Sequence, residues 1–473
     1  MQTARRITRN FLSLSVAEIF SKVVQLFVFV YVARVFGDAE FGKFSFGLSF
    51  GLLLFVVADF GFGTFLIREI SRNKEMASKY LSNSMTLKIG LAIATFLTTW
   101  IFLQIFKYPQ DMQIITYLMV GFIVIQSFTS LFYAVFRAFE RMHFDAIVKV
   151  IRMVLLAGSV LFAIFKGKSI IYVTAMFPLT EIVILGMTAW IIQRKFVPVR
   201  FSFQGGFGWK LLKESSLFSL SLAFVGVYVY IDTIMLSRMR GPAEVGIYTA
   251  AYNPLLALVF IPMMYSNAIF PVLSQYFVDK KEQLLPAYER SFKYMLILGL
   301  PISLGTIIFA KNIIHLFYGT GYEASILALQ ILAGFLFLRF LNIVSGTTLS
   351  AINQQKSRVF AQGLTALVNV VLNLLFIPKW GLIGAGIATL VTEVVFFFLY
   401  LYYIVRYGLK IRFIATSIRP VVAAVAMALV VMNFDHLWTG AIIGTAVYMA
   451  LLLLLGAFDA EDKRLLKKIV QNQ

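Results

Sequence analysis

A nine-residue phrase occurs twice in this chain, 204 residues apart. Residues 34–42 read Arg-Val-Phe-Gly-Asp-Ala-Glu-Phe-Gly, and residues 238–246 read Arg-Met-Arg-Gly-Pro-Ala-Glu-Val-Gly. Arg, Gly, Ala, Glu and Gly coincide, and an aromatic side chain follows two residues later in each copy, Phe44 and Tyr248. Each copy joins one long apolar run to another. A chain with this pattern is built from two similar halves in tandem, an arrangement that belongs to transporters more than to enzymes. Hydrophobic residues fill 60% of the 473 positions and charged residues only 14%, so no soluble core can hide the apolar surface. The runs are membrane spans of about 20 residues each.

The pattern predicts an all-α polytopic membrane protein with fourteen spans, near 11–33, 44–66, 82–105, 115–136, 146–165, 170–192, 215–237, 246–275, 291–310, 325–348, 359–377, 382–405, 414–433 and 437–457. The first span follows Arg5, Arg6 and Arg9 but lacks a small-residue cleavage site, so it reads as an uncleaved span and not a signal peptide. Lys and Arg in the connecting segments set the orientation. With both termini cytoplasmic, inner segments hold 30 of them and outer segments 9; Lys22, Lys88 and Arg339 fall inside spans. The net charge of +20 is therefore topological and does not indicate nucleic acid.

The repeat offset divides the chain into a six-helix lobe over 1–193, a cytoplasmic linker over 194–214, a second six-helix lobe over 215–410, helices 13 and 14 over 411–458, and a basic tail over 459–473. An even span count per half makes the lobes parallel repeats. No connecting segment has room for a soluble catalytic domain. The histidines, His143, His315 and His436, lie in separate loops, and no metal motif, catalytic triad or nucleotide fingerprint is present. No cofactor is expected.

The repeated phrase itself reads as a tight outer turn. Gly37 and Gly241 suit positive φ, Gly42 and Gly246 permit close approach at the start of the next helix, and Glu40 and Glu244 suit a helix N-terminus. A second reading makes Asp38 and Glu40 an acidic metal-binding pair.

Charges inside spans are costly and must face a partner or a cavity. In span 1, Glu18, Lys22 and Gln25 share one face, by spacings of four and three. Glu18 lies about 11 Å above the inner end of its span, at 1.5 Å per residue. Asp59 and Lys88 lie at a similar depth in spans 2 and 3. Two readings stand: one polar cluster facing an inter-lobe cavity, or a salt-bridge network locking helices 1 to 3. Asp232 and Asn253 share a depth in spans 7 and 8 and form a second polar pair. Arg339 and Glu393 are placed to pair, and Glu181 sits beside the bend expected at Pro178.

The phrases resemble a known family. Residues 32–42 around the first copy, Trp-Lys-Leu-Leu-Lys-Glu-Ser at 209–215, Tyr-Ile-Asp-Thr-Ile-Met-Leu at 230–236, the second copy, and Gly-Leu-Ile-Gly-Ala-Gly-Ile-Ala-Thr at 381–389 are similar to the oligosaccharide flippases. These form the polysaccharide biosynthesis branch of the multidrug/oligosaccharidyl-lipid/polysaccharide exporter superfamily. The resemblance implies movement of a polyprenyl-pyrophosphate-linked oligosaccharide from the inner to the outer leaflet of the cytoplasmic (inner) membrane. It implies alternating access around a polar cavity, for O-antigen or other surface polysaccharide synthesis. Lys22, Lys88, Arg339, Gln25 and Asn253 are then candidates to meet pyrophosphate and sugar. Glu18, Asp59 and Asp232 are candidates for H⁺ or Na⁺ coupling. Membrane lipid, a polysaccharide polymerase and glycosyltransferases are the implied partners. A multidrug exporter and a lipid II flippase of the same superfamily are the alternatives.

Overall fold

The computed structural model describes residues 2–458 and Asp462, with side chains from Leu14 onward except Leu217. The Arg5, Arg6 and Arg9 side chains and the tail expected over 459–473, Asp462 apart, lie outside the described residues. Every regular element among the described residues is helical. In chain order they are α1 (Gln2–Asp59), α2 (Phe62–Arg72), α3 (Ala77–Ile105), α4 (Gln110–Ala138), α5 (Met142–Phe165), α6 (Ile170–Lys195), α7 (Gly205–Arg240) and α8 (Pro242–Leu258). There follow α9 (Phe260–Asp279), α10 (Lys281–Ile308), α11 (Ala310–Tyr318), α12 (Ser325–Ala351), α13 (Gln355–Arg406), α14 (Phe413–Val431) and α15 (Leu437–Leu454).

Helix lengths explain the span count. A helix of 58 residues such as α1 would reach about 87 Å, while hydrocarbon is about 30 Å thick. It breaks at Gly37, where φ is 76° and ψ 178°. Only glycine holds that backbone region without strain. α13, 52 residues long, breaks in the same way at Gly381, with φ 55°. Among the described residues, twelve helical stretches are long and apolar enough to cross a bilayer, and these two, broken at their glycines, are each long enough for two passes. The long run expected over 246–275 is two helices, α8 and α9, parted at Val259 between Pro254 and Pro262.

Packing divides the chain into two units. One comprises residues up to Ala250 plus Ala366–Ala385; the other comprises Ala251–Thr365 and everything from Gly386 on. These are not the two sequence halves, because α7 packs on α1, α2 and α3 within the first unit. The first unit's core joins Phe62, Phe65, Leu66 and Ile70 of α2 to Leu131, Phe132 and Phe136 of α4. In the second, α10 packs on α12 and α14, and α14 on α15; Ile297, Phe309, Ala423, Met427 and Tyr448 form the shared core. The linker expected over 194–214 is shorter, since α7 begins at Gly205. It is strapped to α3: Gln204 N donates to Asn83 Oδ1 at 2.9 Å, and Thr86 Oγ1 to the Ser202 carbonyl at 3.2 Å.

Candidate functional site

The first unit carries a charged face shared by α1, α4, α5 and α6. On α5, Asp145, Lys149 and Arg152 follow at spacings of four and three, so one side of the helix presents all of them. Lys149 pairs with Glu18 of α1 and lies 3.4 Å from Asp145. Arg137 at the end of α4 donates from Nε to Asp145 Oδ2 at 2.7 Å. Arg152 stands 3.6 Å from the buried Glu181 of α6. Lys22, one turn along α1 from Glu18, is exposed, and lies within electrostatic reach of Glu18, Lys149 and Arg152. Its ammonium makes no ion pair among the described residues, and Gln25 beside it is half-buried. The face holds the acids Glu18, Asp145 and Glu181 against the bases Lys22, Arg137, Lys149 and Arg152, leaving a net positive charge.

Sequence reading missed much of this face. In sequence, Lys149 and Arg152 near the start of span 5 count among the inner basic residues that set topology, and the family resemblance also offers Arg137 and Arg152 as an inner entrance; the spacing of Lys149 and Arg152 with Asp145 is the signal for one shared face. Of the two readings for Asp59 and Lys88, the structure has the ion-pair lock, but between these two residues alone. Both are buried, and neither pairs with Glu18 or Lys22. Lys88 is fully buried; its Nζ donates to Asp59 Oδ1 at 2.8 Å and to the Ser127 carbonyl at 2.6 Å. Ser130 Oγ donates to the same Asp59 oxygen at 2.7 Å. α3 turns Lys88 inward onto Asp59, as the reading of a salt-bridge lock has it, and away from Glu18 and Lys22.

The remaining sites are also internal networks. Arg339 Nη1 donates to Glu393 Oε1 at 2.7 Å, and Asn342 Nδ2 donates to Glu393 Oε2 at 2.7 Å, so the expected pair forms with a third member. Asp232 is buried and accepts from Asn373 Nδ2 at 2.6 Å and from the Tyr248 hydroxyl at 3.1 Å. Asn373 in turn donates to Asn369 at 3.2 Å. Asn369 and Asn373, the polar residues of the span expected over 359–377, thus serve Asp232. Asn253 is not among the partners assigned to it; the Asn253 Nδ2 is buried and has no hydrogen-bond partner among the described residues.

The two copies of the repeated phrase meet each other. A Cβ on Gly42 would lie 1.7 Å from the Pro242 carbonyl oxygen, and one on Gly246 would lie 2.0 Å from the Asp38 carbonyl oxygen. Positions 38 and 42 match 242 and 246 through the repeat, so the contact is reciprocal. Gly241 has φ 93° and ψ 176°, as Gly37 does in the first copy. Glu244 reaches a third turn, where its Oε2 accepts from Leu382 N at 2.8 Å beside Gly381. Arg240 donates to the carbonyls of Ile377 and Pro378 at 3.2 and 2.7 Å. The acids Asp38 and Glu40 are engaged locally: Asp38 accepts from Ala39 N at 2.7 Å, and Glu40 pairs with Lys43 at 2.6 Å. Among the described residues, no group of three metal-ligating side chains forms.

Residues 7–277, more than half of the chain, match the family described as polysaccharide biosynthesis protein. The chain belongs to that family. Residues 218–375 also match the MatE family. Among curated relatives of this family member is the probable low-salt glycan biosynthesis flippase Agl15 of Haloferax volcanii, 23% identical over 468 residues, covering 95% of this chain and 96% of that protein. The putative O-antigen transporter of Escherichia coli K12 is 24% identical over 412 residues, covering 82% and 94%. The lipid II flippase MurJ in an inward closed conformation shares the fold, with a TM-score of 0.79 at 16% identity, over 94% of this chain and 98% of that one. The polysaccharide biosynthesis proteins are thus joined by fold to a flippase, and this member is a multi-pass membrane protein.

Proposed function

We propose that this protein is a flippase that moves a polyprenyl-pyrophosphate-linked oligosaccharide from the inner to the outer leaflet of the cytoplasmic membrane. Family membership supports the reading, as do relatives named as a glycan biosynthesis flippase and an O-antigen transporter. The observation that carries it is the cationic excess of the face on α1 and α5. Lys22 is an exposed ammonium without an ion-pair partner among the described residues, and Arg137, Lys149 and Arg152 stand behind it. Pyrophosphate oxygens suit such donors, and a cation excess disfavours an organic cation as cargo. Gln25 offers an amide to a sugar hydroxyl.

Lys88 and Arg339 act as structural cations in this reading, each already holding a carboxylate. Glu18 is the coupling acid: it is half-buried and tied to Lys149, so protonation or Na⁺ binding there would release Lys149 toward the substrate. Asp59 and Asp232 stay within their networks. The lysine and arginine bias of the connecting segments supports cytoplasmic termini. Glycosyltransferases build the substrate on the inner side, and a polymerase consumes it outside.

The test is native mass spectrometry of the purified protein with a polyprenyl-pyrophosphate oligosaccharide and, separately, an organic cation. Retention of the lipid-linked sugar, reduced at least about tenfold by Lys22→Ala, supports the proposal; a loss of one charged hydrogen bond is worth roughly this much. Retention of the cation alone would assign the protein to drug export. For coupling, Glu18→Gln in proteoliposomes should make flipping independent of an imposed gradient. Full gradient dependence in that variant would remove Glu18 from the mechanism.

A further inference from the structure

Glu181 of α6 is the acid of the charged face that the proposed transport step leaves unused. Its side chain is 1% exposed. Its polar neighbours are Thr129 of α4 and Arg152 of α5. Arg152 Nη1 stands 3.6 Å from Glu181 Oε2, too far for a hydrogen bond, and neither carboxyl oxygen has a hydrogen-bond partner among the described residues. The Thr129 hydroxyl donates to the Ile125 carbonyl at 3.3 Å, so what it offers Glu181 is a lone pair. The Tyr133 hydroxyl and Arg152 Nε are also buried without a hydrogen bond among the described residues. A buried polar group left unbonded is costly, and three such side chains at one place call for a shared function.

The titratable groups of this face are Tyr133 and Arg137 of α4, Asp145, Lys149 and Arg152 of α5, and Glu18 and Lys22 of α1. Asp145 is committed to Arg137 and Lys149, and Glu181 has Arg152 as its ion-pair partner. The Arg152 side chain is 17% exposed and lies within electrostatic reach of the exposed Lys22. An anion bound at Lys22 therefore competes with Glu181 for Arg152. Phosphate oxygens suit a guanidinium in a bidentate fork. Once Arg152 turns to them, Glu181 is a buried carboxylate without a counter-charge, a strongly disfavoured state. Glu18 differs, because at 42% exposed it keeps water when its lysine leaves. A proton is the smallest particle that cancels the charge on Glu181, and the Thr129 lone pair suits a protonated carboxyl.

We propose that Glu181 takes up a proton when the pyrophosphate of the cargo draws Arg152 away, and gives it back when Arg152 returns, a step that rests on the flippase reading above. The proton comes from water and adds to a Glu181 oxygen. The Arg152–Glu181 ion pair breaks and an Arg152–phosphate pair forms, so neither state leaves a buried charge uncompensated. Glu181 is then a positioning residue: it holds Arg152 in the empty site and yields it on binding. Cargo binding and proton binding are linked here at a residue distinct from Glu18.

The test uses the full-length protein in neutral detergent, with polyprenyl pyrophosphate lacking the sugar as the probe. Protons taken up per probe bound are counted by titration calorimetry in buffers of different ionisation enthalpy. Glu181→Gln should bind the probe with about one proton fewer than the wild type. Affinity should fall with rising pH by up to about tenfold per unit for one linked proton, and the variant should lose that share of the slope. Titration of the probe's own phosphates cancels in this difference. Glu181→Asp, which keeps a carboxyl, should retain the uptake. The same loss should follow Glu181→Gln in a Glu18→Gln background, which separates the two acids. In the wild type, where no folding question arises, binding should bring up a protonated-carboxyl band in the infrared difference spectrum. Equal uptake in the wild type and Glu181→Gln, the result if the buried oxygens hold ordered water only, overturns the proton site, and so does absence of the band. Failure of the wild type to bind the probe overturns the flippase reading and the proton site with it. Binding without the Glu181 difference removes the proton site alone.

Discussion

Two arrangements of intramembrane charge differ in one respect that decides their roles. The Asp59–Lys88 pair is sealed, one cation and one carboxylate with Ser127 and Ser130 taking up remaining valences. The face on α1 and α5 is unsealed: Glu18 is 42% exposed, Arg137 is 33% exposed, and Lys22 has no counter-ion contact among the described residues. A sealed pair cannot exchange partners without exposing a charge to hydrocarbon, so it works as a lock. An unsealed face with surplus cations can take a foreign anion. Burial and completeness, not charge itself, separate structure from function here.

The largest effect should come from opening the lock. Lys88→Met leaves the buried Asp59 carboxylate without a counter-ion and is expected to cost about 3–5 kcal/mol in thermal unfolding in detergent, while Asp59→Leu/Lys88→Met together should recover most of the loss. A single variant as stable as the wild type would erase the contrast. A packing joint should rank next. Gly42→Val forces the phrase copies apart and is expected to destabilise by roughly 1–3 kcal/mol and to stop flipping. Adding Gly246→Val should cost little more, because both side chains would break one reciprocal contact; additive losses would show that the two glycines act separately. The Arg339–Glu393–Asn342 network follows the joint. Arg339→Ala should cost about 1–3 kcal/mol, less than Glu393→Ala, because Asn342 still holds the carboxylate; the reverse order in Tm would make Arg339 more than a lock. Lys22→Ala should change stability by no more than about 0.5 kcal/mol while flipping falls at least tenfold. A parallel loss of both would move Lys22 to the sealed class.

Sequence made the helices legible because hydrophobic runs and glycine breaks are local properties. Gly37 announced its turn without any knowledge of neighbours. Lys88 did not announce its partner, since position along α3 gives depth but leaves the direction of the side chain to packing. Lys149 was hidden by another rule: near a span end, a lysine that marks topology and one that pairs with Glu18 look alike. Asn369 and Asn373 are polar residues in an otherwise apolar span, and only the fold brings them to Asp232. Gly42 and Gly246 signalled close approach, but the approaching surface, the other copy of the same phrase, is a tertiary fact.

The lock between Asp59 and Lys88 also constrains how the chain is made. The two residues lie 29 positions apart, so the acid leaves the ribosome well before its partner. Until then the second pass of α1 carries a lone charge whose transfer to the bilayer centre costs at least about 2.5–3.5 kcal/mol. The second pass of α1 and the first stretch of α3 are therefore best delivered to the lipid together, as a hairpin already joined through its ion pair, and a nascent chain halted short of Lys88 would wait at the insertion machinery with its second helix uncommitted.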